Sequence, residues 1–234
     1  MFKYMDKTTK QDLLDIVKNN YEQSAVDFSA SRQRLFWPEL QKLATQVKAG
    51  DRVLDLGCGQ GRLLEVLKSQ SIYYLGLDQS AALISIAQAN YPAFNFQALD
   101  LGSIDELPET DFNYIFCVAV LHHIPGVVDR TAILEKLASK LAPKGRIIIS
   151  VWNLWSRKKF LKLIFKFWLQ RLGGRNKMDA GDIVFPWGGR AGVGLRYYHA
   201  FTMRELKKIS RLANLKIDKL YKDKFNYYLI LSKN

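Results

Sequence analysis

At 234 residues, 48% of them hydrophobic, the chain is long enough to bury one α/β core without support from disulfides or metal. Its two cysteines, Cys58 and Cys117, fall at predicted interior positions and form no C-x-x-C pair, so neither a disulfide framework nor a zinc site is expected; no membrane span or secretory leader is expected, and a reducing, cytoplasmic setting fits best. A net charge of +13, from 35 basic against 22 acidic residues, implies a polyanionic partner or surface and leaves nucleic acid, anionic lipid and plain solubility open.

In chain order, Leu13, Val17 and Tyr21 recur at helical spacing, and Phe36, Leu40, Leu43 and Val47 mark a second helix. An apolar strand, Val53 to Leu56, then runs into three alternate glycines, Gly57, Gly59 and Gly61. Helices are predicted near 60–69, 79–90 and 128–142. Strands are predicted at 72–77, 94–99, 112–118 and 145–152, with Pro143-Lys144-Gly145 as the turn before the fifth. This alternation is the pattern of a parallel α/β sheet. A helix over Met203 to Ala213, a strand from Leu215 and the run Tyr227 to Leu231 predict a closing antiparallel hairpin.

Glycine at the first strand-to-helix turn lets main chain approach a ligand where a Cβ would collide, and ligands of parallel sheets bind beyond the carboxyl ends of the strands. The spacing is not the dinucleotide G-x-G-x-x-G, because Arg62 stands where the later glycine would be. Asp78 ends the second strand, where it can take both hydroxyls of a ribose or simply cap a helix. Asp100 and Leu101 end the third and offer an acceptor and an apolar face to an adenine.

This set, Asp55-x-Gly-x-Gly-x-Gly61 with Asp78 and Asp100, resembles the class I methyltransferases that use S-adenosylmethionine. The resemblance implies a Rossmann-like α/β fold with a seven-stranded, mostly parallel sheet. It also implies a cofactor site made of Asp55 at the methionine amino group, Gly57, Gly59 and Gly61 as close backbone, Asp78 at the ribose, Asp100 with Leu101 at the adenine, and Gln79 and Val118 as further cofactor-binding residues. One domain is expected: residues 1–49 as a helical cap, 50–152 as the cofactor core, 153–200 as an insertion, and 201–234 completing the sheet. No metal site is expected.

The insertion exceeds what a connection between strand and helix needs. From Ser156 to Lys177 it has eight basic residues and no acidic one. Leu161, Ile164, Phe165, Trp168 and Leu172 share one helical face, and Lys158, Lys162 and Lys166 another, which predicts a basic amphipathic helix. It fits an RNA backbone, an anionic lipid surface, or packing of its apolar face on the domain.

Further segments sharpen the resemblance. Tyr21 to Arg32 with Trp37-Pro38, Val118 to His123, Asp182 to Trp187, and Arg196 to Phe201 with Glu205-Leu206 look like the tRNA wobble-uridine 5-carboxymethyl methyltransferases. Their reaction would make a methyl ester on the anticodon. tRNA is then the expected partner, through the basic surface of residues 156–177, and a small activating protein subunit is implied. A carboxymethyl group is already ionised at neutral pH, with a pKa of ~4, so the acceptor needs positioning and no base. Arg32, Tyr198 and His199 are candidates for holding that carboxylate, His122 and His123 for meeting the base or carboxylate, and Trp187 for stacking on a flipped base; the alternatives are helix capping or a core bond for His122 and His123, packing for Tyr198 and a loop anchor for Trp187. The alternatives are a methyltransferase for a small or membrane-borne acid or phenol, with the basic helix as anchor, and an RNA-binding module without turnover.

Overall fold

The computed structural model describes residues 5–31, 37–189 and 192–234. Near-continuous apolar runs create the central strands. Val53, Leu54 and Leu56 make β1 (Arg52–Leu56) buried on both faces, as a strand covered by helices on each side must be. β2 (Tyr73–Asp78), β3 (Asn95–Ala98), β4 (Phe112–Val118) and β5 (Leu141–Trp152) run parallel to it. β8 (Leu215–Lys222) and β9 (Asn226–Lys233) close the sheet antiparallel, so the order is β3-β2-β1-β4-β5-β9-β8. The expected seven-stranded, mostly parallel sheet with a carboxy-terminal hairpin is therefore present. Strand order reverses between β1 and β4, the place where an open α/β sheet leaves a crevice.

Period-two alternation divides the core between the two faces. Leu54, Leu56, Ile115, Cys117, Ile147 and Ile149 face one layer, which holds α6 (Val127–Lys140) and α8 (Met203–Leu212) through Leu134, Leu137, Leu206 and Ile209. Val53, Tyr74, Phe116, Ile148 and Ile230 face the other, with α3 (Pro38–Ala44), α4 (Leu64–Leu67) and α5 (Ala81–Asn90). Asp6 caps α1 (Lys7–Gln23) by accepting from the Thr9 amide at 2.9 Å, and Leu13 and Val17 are its buried stripe. A short α2 (Ala25–Ser31) follows.

Three expectations change. Pro143-Lys144-Gly145 is no turn ahead of a strand: it lies inside β5, as an irregularity where pairing jumps from Phe112–Leu141 to Tyr114–Arg146. The insertion contains a two-stranded antiparallel hairpin, β6 (Asp182–Gly189) with β7 (Gly192–His199), in addition to the expected helix. The basic helix is present as α7 (Lys158–Leu172), but with its faces rearranged. Phe160 and Ile164 are buried against Ile183 and Phe185, while Leu161, Phe165, Trp168 and Leu172 are exposed.

A buried polar hub fastens the insertion to the core. The His199 imidazole sits between two carboxylates, Nδ1 at 2.6 Å from Asp182 and Nε2 at 2.7 Å from Glu205. Tyr197 donates to Asp182 at 2.9 Å. The fully buried Arg130 guanidinium reaches Asp179 at 3.0 Å, Glu205 at 3.6 Å and the Ile124 carbonyl at 3.0 Å. Burial and the Arg130 charge push the imidazole towards neutrality, but its hydrogen bonds to Asp182 and Glu205 outweigh them and hold its pKa above the ordinary value.

Candidate functional site

A cleft of about 590 Å³ opens beyond the carboxyl ends of β1, β2 and β4, beneath α1, which is within the usual size for a small-molecule site. Its floor is the turn after β1. The amides of Gly57 and Cys58 donate to the Leu77 carbonyl at 2.7 and 2.9 Å, tying this turn to β2. Gly57 has φ +68°, and a Cβ built on it would stand 2.2 Å from the Val120 side chain. Gly57→Ala is therefore expected to lose about 1–3 kcal/mol of stability from left-handed strain and overpacking, measured by urea unfolding.

Asp78 organises the wall. One carboxylate oxygen accepts from the Gly59 amide at 2.9 Å and the other from the Ser80 amide at 3.0 Å. Burial raises its pKa, against the lowering by these amides and that of Gln79. Asp55 accepts from the Tyr74 hydroxyl at 2.8 Å; burial pushes its pKa up to about 7, the Tyr74 bond opposing and the Asp78 charge adding. Asp100 stands at the next tip, accepting from the Gly102 amide at 2.7 Å, and Leu101, Gln79 and Val118 complete the lining.

Gly61 departs from the expectation. It lies off the cleft, where a Cβ would come within 2.9 Å of Tyr91 and 3.1 Å of Phe96, so it serves helix-to-sheet packing. Gln60 was missed: it lines the cleft almost fully buried, and its Oε1 meets no donor among the described residues. A variable position between glycines carries no distinguishing sequence signal.

The acceptor end gathers aromatic groups from distant elements. The Tyr21 hydroxyl and His123 Nε2 lie 2.8 Å apart, joining α1 to the turn after β4, and both line the cleft with Trp152. His122 is buried behind them, its ring 5.2 Å from Trp152. Tyr198 packs against His122, His123 and Trp152 and receives a hydrogen bond from Arg196 at 3.2 Å, so it supports the cleft from behind. His199 belongs to the buried hub, both ring nitrogens engaged, and is placed to brace the fold; its expected role at a substrate carboxylate is corrected on that ground. Arg32 and the Trp187 side chain lie outside the described residues. In sequence Tyr21 marks only a helix face and Trp152 only a strand end; nothing local identifies them as cleft residues.

The glycine turn, the acidic strand tips and the strand order define an α/β protein with a cleft for a nucleoside-bearing, cationic ligand. A family model described as "Methyltransferase domain" matches residues 28–220, and the chain belongs to that family. A Xenopus tropicalis tRNA (carboxymethyluridine(34)-5-O)-methyltransferase is 26% identical over 94% of this chain and 41% of its own length. The Schizosaccharomyces pombe enzyme of the same description is 24% identical over 94% of this chain and 97% of its own. The chain thus spans about two-fifths of the first of these relatives and nearly all of the second. Among solved structures, a SAM-dependent methyltransferase from Methanosarcina mazei superposes with TM-score 0.68 at 18% identity, covering 85% of this chain and 98% of that one. A chain of the structure described as "Complex between the Haloferax volcanii Trm112 methyltransferase activator and the putative methyltransferase" superposes with TM-score 0.63 at 17% identity, covering 92% of this chain and 96% of that one.

The cofactor of this class is S-adenosylmethionine, and the cleft fits it on three counts. Gly57 and Gly59 present bare main chain to the cleft, the acids Asp55, Asp78 and Asp100 suit a ligand carrying a sulfonium, an ammonium and ribose hydroxyls, and Gln60 Oε1 awaits a donor.

Proposed function

We propose that this chain transfers a methyl group to the 5-carboxymethyl group of a wobble uridine in tRNA, forming the methyl ester. The observation that carries the reading is the end-to-end match to the fission-yeast enzyme, 94% of one chain on 97% of the other. The net charge of +13 suits a polyanionic substrate. When bound, the cofactor supplies a methyl already activated on a sulfonium.

The protein's residues then have positioning work. Asp78 would take the ribose hydroxyls, Asp100 and Leu101 the adenine edge and face, and Asp55 with Gln60 the amino group. Tyr21, His123 and Trp152 form a wall at the acceptor end, where they would orient the substrate carboxylate and keep water out. No proton need leave the acceptor, so His123 is assigned to orientation. Arg32 remains proposed for the carboxylate. A small activating subunit belongs to the same reading, supported by the Haloferax volcanii structure. Co-expression with such a subunit is expected to raise the yield of folded enzyme.

The test is nucleoside mass spectrometry of carboxymethyluridine-bearing tRNA incubated with enzyme and cofactor. A gain of the methyl ester is expected. Unchanged nucleosides, with methyl appearing instead on a small acid or phenol, would overturn the reading.

Asp55 makes cofactor binding pH-dependent. Its pKa of about 7 lies above the ordinary 3.8, so the acid is largely neutral below 7 in the cofactor-free protein. The ligand's ammonium favours the ionised form. Binding should tighten as pH rises, by up to about tenfold per unit below 7, then level off. Calorimetric titrations across pH check this, and Asp55→Asn should flatten the curve.

A further inference from the structure

α7 carries two apolar faces, and the fold uses one. Phe160 and Ile164, with the half-buried Leu163 and Phe167, pack inward on Leu154, Ile183 and Phe185. Leu161, Phe165, Trp168 and Leu172, spaced four, three and four residues apart, form a second stripe that is 41, 59, 43 and 66% exposed, and Leu169 beside them is 48% exposed. Phe165 and Trp168 stack on each other at 5.8 Å. At about 100° per residue, Lys158, Lys162 and Lys166 border this stripe on the side away from the buried face, and all three are exposed. Just before the helix, Arg157 stands 5.5 Å from the ring of the half-exposed Phe225, which Lys224 also approaches at 5.5 Å.

We propose that this outer face of α7 docks on an anionic lipid bilayer, with the Leu161–Leu172 stripe at the acyl boundary and the bordering lysines among the headgroups. Charge chooses this occupant. The segment from Ser156 to Lys177 has eight cations and no anion, so a second copy would set like charge against like. An RNA backbone satisfies the lysines, but the exposed leucines offer neither charge to phosphate nor a flat ring to a base. A bilayer surface satisfies both kinds of side chain. Among the described residues no helix is long and apolar enough to cross a membrane, so α7 lies on the surface. No α7 residue lines the cleft, so the inference leaves the cofactor site untouched; it replaces tRNA as the occupant expected for the basic surface of residues 156–177.

The test is vesicle flotation of the full chain at roughly 0.15 M salt, with phosphatidylcholine alone and with about 30% phosphatidylglycerol added. The chain is expected to bind the anionic vesicles at least about tenfold better than the neutral ones. Phe165→Ser with Trp168→Ser should lower that binding about tenfold or more, with the melting temperature and cofactor affinity unchanged. Lys158→Gln, Lys162→Gln and Lys166→Gln together should lower it without altering the fold. Failure to float with anionic vesicles overturns the proposal, as does a serine double variant that floats like the parent. Loss of tRNA retention in the lysine variant, with no vesicle binding by the parent, assigns the face to RNA. A concentration-dependent dimer abolished by the serine variant, again without vesicle binding, assigns it to a second copy.

Discussion

Asp78→Ala should weaken S-adenosylmethionine binding by about a hundredfold or more, read by calorimetry. Each hydrogen bond from a ribose hydroxyl to a charged carboxylate is worth about 1.5–3 kcal/mol, and two would be lost together. The substitution also removes the acceptor of the Gly59 and Ser80 amides, so the turn after β1 and the cap of α5 lose their shared anchor. Asp78→Asn separates the two effects. Its amide oxygen keeps one backbone bond and one ligand bond, and an intermediate loss of about tenfold is expected. Binding of either variant at the parent affinity would show that β2 does not present its tip to the ribose.

The largest loss of stability is expected at the buried hub. Asp182→Ala strips the His199 imidazole and the Tyr197 hydroxyl of a shared acceptor and leaves Arg130 with less compensating charge. Breaking such a buried set costs about 3–5 kcal/mol. For a chain of this size that lowers the melting temperature by roughly 10 °C.

The pH dependence of the hub follows from its two shifts. The pKa of His199 is raised above its unfolded value of 6.5, so its contribution is complete below 6.5 and fades as pH rises through the folded value. Burial would raise the pKa of Glu205, but the His199 bond, with the His199 and Arg130 charges, brings it below 4.5. Its contribution is complete above 4.5 and fades as pH falls through the folded value. Stability from the hub therefore peaks between these limits and declines on the alkaline side. His199→Gln should flatten that alkaline decline in thermal melts. Parallel pH profiles for parent and variant would deny His199 this part. Because the hub holds β7 in place, and Tyr198 of β7 backs His122, His123 and Trp152, damage there should also lower methyl transfer without touching the cofactor.

Local patterning carried much of the architecture. Short apolar runs located every strand of the main sheet, and glycine followed by acidic strand ends located Asp55, Gly57, Gly59, Asp78, Asp100 and Leu101 at the cleft, because a cleft at a strand-order reversal is built from consecutive short turns. Gly61 carried the same signal for a different reason, close packing on Tyr91 and Phe96, since φ and contact both select glycine and a sequence does not separate them.

What pattern alone could not supply was assembly over long separations. Tyr21 and His123 are 102 residues apart, and Arg130 meets Asp179 across 49, so only the packed chain brings them together. Tyr198 and His199 are neighbours in sequence, yet strand alternation sends one behind the cleft and the other into the hub. Helical periodicity marked α7 as amphipathic, but which of its apolar stripes was left to solvent depended on where β6 and β7 came to rest. The residues by themselves determined an α/β cofactor fold with excess positive charge. Tertiary structure decided which polar groups face a ligand and which are consumed in holding the fold, because burial and partner geometry exist only once distant segments meet.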